Sequence, residues 1–575
     1  MGILRCVASY AYSKGQTPMK RLKPSNLIDF VYKPIEAVSD TLERKLGMAS
    51  VVIISLSAML GSGLFVLPAL AMLDLGGGTT PVAGIWLAYL VAAVIVLPGA
   101  ISKSELATAM PSSGGSYVYV ERTFGPLVGT IAGLGLWANF MLKSAFALIG
   151  FKAYLWVLEN LLGIAINIEI AALILLAMIV FINILGLKRI KKVQTPIVLT
   201  SVLFLFGLCI WAMFTMDLDW GAPFSKSAFG SGWESVAQTA AFVFVAYAGV
   251  TKIAAVGGEI KEPERNIPYG ILLSLLISCL LYVSISIVMV AAIEPTAYME
   301  GGDAREDPIY VFAKEVGGST VGIIAAVLAV TTMTSMALAG IMASSRFPFA
   351  MARDNLLPEA LENVHQKYQT PHLSIIVTGL AMAAAITLLP VHDIAKLASG
   401  FKIMIFIVIN MCVIVLRRAS KTHTWYNPKW KSPLYPFFQL LGIVGGFVLI
   451  YLMGSKAIIG AAVCCVMGLI IYYSYGKSRV QPTLTPWRTV RTEFTNKDQF
   501  EREKRWLVFH NAAAKHSRPD NLNKAEFVQA MSTIAPNYDA SHVDNLFHEI
   551  DTNNDGVIDV DEFLQGMQEE FDEEE

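Results

Sequence analysis

The chain has 575 residues, of which 55% are hydrophobic and only 15% charged, with a net charge of −1. That length exceeds one ordinary domain, and that composition excludes a single soluble fold and points to a polytopic membrane protein. The near-neutral total hides a segregation: residues 1–480 are apolar with a basic excess in their loops, whereas 551–575 are strongly acidic. Cys209, Cys279, Cys412, Cys464 and Cys465 lie in apolar runs and Cys6 precedes them, which argues against a disulfide framework. The N-terminus shows no apolar core followed by a cleavage site, so no removable signal peptide is expected.

Residues 1–46 are polar, carry more Lys and Arg than acid, and contain Pro18, Pro24 and Pro34. They read as a tail on the cytoplasmic face. Twelve apolar segments of spanning length follow, at roughly 48–72, 82–102, 125–156, 163–186, 194–216, 234–258, 268–293, 317–345, 372–390, 392–416, 434–454 and 456–475. The basic clusters fall in alternate loops: Lys103 and Arg122; Lys188, Arg189, Lys191 and Lys192; Arg417, Arg418, Lys421, Lys429 and Lys431. The positive-inside rule then puts both termini in the cytoplasm of a multi-pass cell-membrane protein.

The first segment is interrupted at Gly61-Ser62-Gly63. Each Gly costs about 1 kcal/mol in a helix relative to Ala, and backbone groups freed within a bilayer find no water. Such a break is expected to line a site, with half-helix N–H groups for an anion and freed carbonyls for a cation. The sixth segment holds a weaker interruption over Phe242–Lys252, centred on Gly249. It lies five helices after the first, where an inverted five-helix repeat places the counterpart. The expected fold class is therefore all-α: twelve membrane helices, the first ten forming a 5+5 inverted repeat and the last two appended.

Four stretches resemble the amino acid–polyamine–organocation transporter family: Gly61-Ser-Gly-Leu-Phe-Val-Leu-Pro68, Glu105-Leu-Ala-Thr-Ala-Met-Pro-Ser-Ser-Gly-Gly-Ser-Tyr117, Gly258-Glu-Ile-Lys-Glu-Pro-Glu-Arg-Asn-Ile-Pro268, and Ser345-Arg-Phe-Pro-Phe-Ala-Met-Ala-Arg-Asp-Asn-Leu-Leu-Pro358. The resemblance implies a LeuT-type fold with alternating access to a central amino acid site. It further implies that N–H groups around Gly61, Ser62 and Gly63 bind the substrate carboxylate. The carbonyls of Met59, Val245, Ala246 and Ala248, beside Gly249, would receive the ammonium. Val245 stands where relatives often carry Phe or Trp, so either the side-chain pocket is larger or Phe244 or Phe242 serves as the gating ring. The small Val245 favours a neutral, apolar or aromatic substrate.

The coupling ion is open between proton, sodium and uncoupled exchange. Proton-using relatives often place a Lys in the fifth helix, and none occurs here. By register from Pro358, Thr334 and Ser335 in the eighth segment match the family's sodium-ligating pair, opposite the carbonyls of Ser57 and Leu60. Lys143 and Lys252 are intramembrane cations and hence functional candidates. Lys143 is a candidate proton-coupling group, and Lys252 lies near enough to the second break to meet a substrate carboxylate. Both argue mildly against sodium.

After a linker at 477–497, which closes a membrane domain spanning 47–476, residues 498–575 form a soluble helical region. Asp551, Asn553, Asp555, the Val557 carbonyl, Asp559 and Glu562 stand at positions 1, 3, 5, 7, 9 and 12 of an EF-hand calcium loop, with Gly556 at position 6. Thirty-six residues earlier, Glu526 ends a degenerate copy in which Lys515, Pro519 and Asp520 replace a ligand, a ligand and the turn glycine. Leu522 is expected to pair with Ile558, and Phe527 to mirror Phe563. The expected function is secondary active amino acid transport controlled by calcium through this tail. The alternative is a membrane sensor that binds an amino acid and signals without carrying it. No nucleophile–base cluster or phosphate-cradling loop suggests an enzyme.

Overall fold

The computed structural model describes residues 46–566 except 112–114, 155–167, 186–189, 231, 366, 369, 424, 481–483, 498, 502, 506, 508–520, 535–537, 560–561 and 564. The expected N-terminal tail, the Lys188 and Arg189 cluster and the degenerate loop from Lys515 to Asp520 thus lie outside the described residues. The order is α1 (Met48–Met59), α2 (Ser62–Phe65), α3 (Leu67–Leu75), α4 (Ile85–Ala109), α5 (Ser116–Phe124), α6 (Pro126–Tyr154), α7 (Ile168–Ile184), α8 (Ile190–Thr215) and α9 (Trp233–Val243). A 3₁₀ stretch (Phe244–Glu259) follows, then α10 (Pro263–Ala292), α11 (Pro308–Ser344), α12 (Arg346–Arg353), α13 (His372–Leu388), α14 (Val391–Arg418), α15 (Phe437–Leu452) and α16 (Ser455–Ser474). The C-terminal part holds α17 (Pro486–Thr495), α18 (Lys524–Ile534) and α19 (Ala540–Ile550). The strands are two short antiparallel pairs, β1 (Met299–Glu300) with β2 (Asp303–Ala304), and β3 (Asn521–Asn523) with β4 (Val557–Asp559).

Among the described residues eight helices are long and apolar enough to cross a membrane, and four shorter apolar helices accompany them. Together they occupy the twelve expected segments. Large apolar side chains face outward along them, with Phe214 85% and Leu388 77% exposed. Only a hydrocarbon solvent makes that arrangement favourable. The eighth segment begins where expected: within α11 the chain kinks at Gly318, whose φ of 75° is left-handed, so the stretch from Pro308 forms a separate leading helix.

Both anticipated interruptions are present. Helix α1 stops at Met59, Leu60 is extended, and Gly61 takes φ 149° and ψ −131° before α2 begins. A Cβ at Gly61 would strike the Met336 sulfur on α11, so only glycine fits both the dihedral and the space. In the sixth segment the α-helix ends at Val243, and the chain continues as a 3₁₀ helix for 16 residues. Runs of that kind rarely exceed three or four residues. The departure from α geometry therefore begins five residues before Gly249. At Gly249 itself the two broken segments touch backbone to backbone, and an added Cβ would lie 2.6 Å from the Met59 nitrogen. A parallel bridge between Leu46 and Ile260, with Lys261 N–H donating to the Leu46 carbonyl at 2.9 Å, ties the start of the first segment to the end of the sixth.

The chain forms two compact units. One contains Thr41–Arg417 and Tyr426–Pro482; the other contains Arg418–Trp425 and Thr483–Glu575. In the membrane unit α6 packs on α11, α4 on α10, and α1 on the 3₁₀ stretch. In the tail unit Phe527, Phe547, Phe563, Met531, Leu522 and Ile558 build a small buried core.

Replacing Gly249 by alanine should cost about 1–3 kcal/mol, the range for overpacking. We expect Gly249→Ala to lower the melting temperature of the purified protein by several degrees. Gly207→Ala, inside α8 and with nothing within 4 Å of the added carbon, should not lower it and should raise it slightly, since alanine favours the helix.

Candidate functional site

The unwound backbone is satisfied by side chains from neighbouring helices. Tyr282 of α10 donates its hydroxyl to the Met59 carbonyl at 2.8 Å and lies 3.4 Å from the Ala246 carbonyl. Lys143 of α6 donates to the same Ala246 carbonyl at 3.3 Å. Tyr89 donates to the Gly63 carbonyl at 3.1 Å, Tyr247 to the Tyr89 carbonyl at 3.0 Å, and Tyr154 to the Phe65 carbonyl at 2.7 Å. Ser399 of α14 accepts from Val245 N–H at 3.0 Å and donates to the Phe242 carbonyl at 2.8 Å. The structure thus brings Met59, Gly61, Ser62 and Gly63 beside Val245, Ala246, Ala248 and Gly249, all of them buried. Among the described residues Ser62 Oγ has no hydrogen-bond partner, and it is buried.

Several of these partners escaped the sequence reading. Tyr282, Tyr89 and Ser399 sit in aliphatic helices where nothing local marks them. A signal did exist, because a mid-membrane tyrosine must find an acceptor for its hydroxyl. Phe242 and Phe244 take different places: Phe242 packs on His392 with ring centres 4.8 Å apart, and Phe244 meets Phe406 edge-on at 5.6 Å.

The buried cations number more than the two expected. Lys103, assigned from sequence to a loop, is 2% exposed within α4, and Lys402 of α14 is fully buried. Its position near a segment end made Lys103 look like a loop charge. Lys402 sits over the rings of Phe140 at 5.6 Å and Phe406 at 4.8 Å. Lys143 and Lys252 are buried as anticipated.

The hydroxyls proposed for a coupling ion separate. Thr334 donates to the Val330 carbonyl of its own turn at 2.8 Å. Ser335 is buried with its Oγ unpartnered, and its carbonyl accepts from Gln194 at 3.2 Å. The hydroxyl pair that meets between α8 and α11 is Ser201 with Thr332, at 2.8 Å.

Polar clusters flank the breaks at both ends of the helices. At one end Asp74 of α3 accepts from Thr239 at 3.2 Å and lies 3.3 Å from His392 and 3.6 Å from Lys396. At the other, the buried Glu105 carboxylate accepts from Arg417 at 2.8 and 2.7 Å, from Tyr426 at 2.7 Å and from Ser432 N–H at 2.7 Å. Such a bidentate, fully hydrogen-bonded pair is the arrangement in which a buried ion pair is tolerated.

In the tail unit the β3–β4 register pairs Leu522 with Ile558, as the sequence spacing predicted, and the Phe527 and Phe563 rings meet edge-on at 6.1 Å. Asp551 accepts from the N–H groups of Asp555 and Gly556 at 3.2 and 3.0 Å, which folds the loop tightly around the left-handed Gly556 (φ 81°). Asp559 and Glu562 exchange bonds, Glu562 N–H to Asp559 at 2.8 Å and Asp559 N–H to Glu562 at 3.0 Å. The other Glu562 oxygen accepts from Thr552 at 2.8 Å. The second copy repeats the device, with Asn523 N–H donating to Glu526 at 2.7 Å and Glu526 N–H to Asn523 at 3.1 Å. Among the described residues no three His, Cys, Asp or Glu side chains lie close enough to hold a metal ion. The donor set itself, carboxylate and amide oxygens on a loop with glycine at the sharp turn, fits a hard cation such as calcium.

Helix α17 starts where Thr485 accepts from Arg488 N–H at 3.3 Å, with Pro486 in its first turn. It packs on residues 418–425: Glu493 accepts from Arg418 at 3.0 and 3.3 Å, Phe494 stacks on the same guanidinium at 4.3 Å, and the buried His423 meets Thr489 at 3.0 Å.

Twelve apolar segments with two facing interruptions are the architecture of a polytopic membrane protein. Residues 46–478 match the family model described as amino acid permease, and residues 542–570 that described as EF hand domain. The chain belongs to the amino acid permease family. It is 29% identical to the branched-chain amino acid permease BcaP of Bacillus subtilis (strain 168), over 76% of this chain and 94% of that protein. It is 26% identical to the methylthioribose transporter of the same strain, over 78% of this chain and 98% of that one. Cationic amino acid transporter 9, chloroplastic, of Arabidopsis thaliana is 25% identical over 68% of this chain and 70% of its own length.

Burial pushes the His423 imidazole from its ordinary 6.5 down to about 4. The folded tail refuses a proton that the unfolded tail accepts. Its docking is therefore fully stable above pH 6.5 and weakens as pH falls toward 4, by about 1.4 kcal/mol per pH unit once below 6.5. Hydrogen exchange of α17 amides should accelerate between pH 7 and 5, after correction for intrinsic rates. His423→Gln should remove that dependence.

Proposed function

We propose that the protein is a secondary active amino acid transporter working by alternating access, with a 5+5 inverted repeat and the substrate held between the two broken segments. The observation that carries this reading is the backbone contact at Gly249. It sets the carbonyls of Met59 and Ala246 close enough to share Tyr282. The carboxylate would rest on the N–H groups of Gly61, Ser62 and Gly63, where Ser62 Oγ lacks a partner. The ammonium would be received by the carbonyls of Met59, Val245, Ala246 and Ala248. The Asp74–His392–Lys396 and Glu105–Arg417 clusters would act as gates on opposite sides of the site, opened in alternation. For the coupling ion, the buried oxygens at Ser201, Thr332 and Ser335 support a hydroxyl-lined cation site better than Thr334 does. The buried lysines support a proton instead, and ion-gradient dependence of uptake decides between them.

Both termini would be cytoplasmic, following the loop charges. There the Asp551–Glu562 loop would bind calcium through Asp551, Asn553, Asp555, the Val557 carbonyl, Asp559 and Glu562. Supplying the ion two oxygens requires Glu562 to give up its bonds to Thr552 and Asp559, which links filling of the loop to the start of the following segment. The receiver is α17, held on residues 418–425 by Arg418 and His423.

Reconstituted protein should accumulate labelled L-leucine or another neutral amino acid against its gradient; binding without accumulation would favour a sensor. Calcium buffered on the tail side should change the rate in the intact chain. Glu562→Gln should abolish that response with little change in the calcium-free rate. Equal rates across calcium would leave the tail a structural element.

A further inference from the structure

Lys143 lies at the centre of the proposed site and, among the described residues, has no charge partner. It is 4% exposed, and among the described residues no carboxylate lies within ion-pairing distance of its ammonium. Its hydrogen bond goes to the Ala246 carbonyl at 3.3 Å, within the 3₁₀ stretch, a carbonyl that Tyr282 also reaches at 3.4 Å. Residues three and four apart share one face of a helix, and the neighbours of Lys143 on that face also point at the site. Asn139 donates to the Ala398 carbonyl at 2.6 Å, next to the Ser399 that grips Val245 N–H, and Phe140 lies beneath the Lys402 ammonium. Lys402 of α14 sits over the Phe140 ring at 5.6 Å, about one helical turn from Lys143, so a second lysine borders the site. The Lys143 amine occupies a carbonyl that a substrate ammonium needs.

We propose that Lys143 is a displaceable occupant of the ammonium subsite, which a substrate's α-ammonium must expel from the Ala246 carbonyl, and that the positive surroundings select zwitterions with neutral side chains against cationic amino acids. This rests on the carrier reading of the two interruptions. The physical argument is that a buried carbonyl is best satisfied by a cationic donor, so the resting protein provides its own. Leaving costs Lys143 no ion pair, so it can yield to a ligand that brings a carboxylate as well. A second, side-chain ammonium has no such compensation beside Lys143 and Lys402. Displacement lowers the apparent affinity by the fraction of time the carbonyl is free.

The test uses the full-length purified protein and equilibrium binding of labelled L-leucine, L-serine and L-phenylalanine, with unlabelled L-lysine as competitor. Lys143→Met should tighten binding of whichever neutral probe saturates the wild type by about threefold or more, the factor expected when Lys143 holds the carbonyl for about two-thirds of the time. The same variant should let L-lysine compete at lower concentration. Lys143→Arg, which keeps a cationic donor, should retain the wild-type affinity and the exclusion of L-lysine. Lys143→Gln serves in place of the methionine variant if that protein does not elute as a single folded species. Unchanged or weaker neutral binding in the methionine or glutamine variant overturns the displacement proposal while leaving the carrier reading intact. Failure of all three probes to bind the wild type overturns the carrier reading itself, and this proposal with it.

Discussion

The close approach of Gly249 to the backbone of Ala58 and Met59 is the constraint on which the membrane unit depends. A broken helix in hydrocarbon leaves peptide groups that no solvent will bond. Here the breaks are placed so that each helps to shield the other, and the remaining groups are taken by Tyr89, Tyr154, Tyr282, Lys143 and Ser399. The donors come from α4, α6, α10 and α14, so four intact helices hold two interrupted ones. Any side chain at position 249 would separate the pair and leave those donors misplaced.

Charge is distributed on the same logic. The acidic groups lie toward the helix ends, at Asp74 and Glu105, each surrounded by several donors. The centre holds cations and aromatic rings instead, Lys402 over Phe140 and Phe406 being the clearest pairing. Each carboxylate is neutralised locally, Glu105 by Arg417 and Asp74 by Lys396, so neither reaches the lysines at the centre.

What could be read from the sequence was whatever is encoded locally. The break at Gly61-Ser62-Gly63 was legible because two glycines in an aliphatic run have no other economy of use. The EF-hand loop was legible because all its ligands fall within twelve consecutive residues, and the Leu522–Ile558 pairing followed from spacing alone. The 3₁₀ conversion from Phe244 was not, since it depends on packing against α1 rather than on residue type. Tyr282 and Ser399 were hidden because their partners are 223 and 154 or more positions away. Lys103 was misplaced because basic residues near a segment end look alike whether they reach water or stay buried.

The pairing of Asn521–Asn523 with Val557–Asp559 carries one more implication. The strand that closes the complete loop is shared with a copy that has lost its ligands, so the complete loop cannot rearrange alone. Any tightening around an ion is transmitted through the Leu522–Ile558 rung and resisted or helped by the packing of Phe527 beneath it. The degenerate half of the tail is thereby mechanically coupled to the complete loop through that rung.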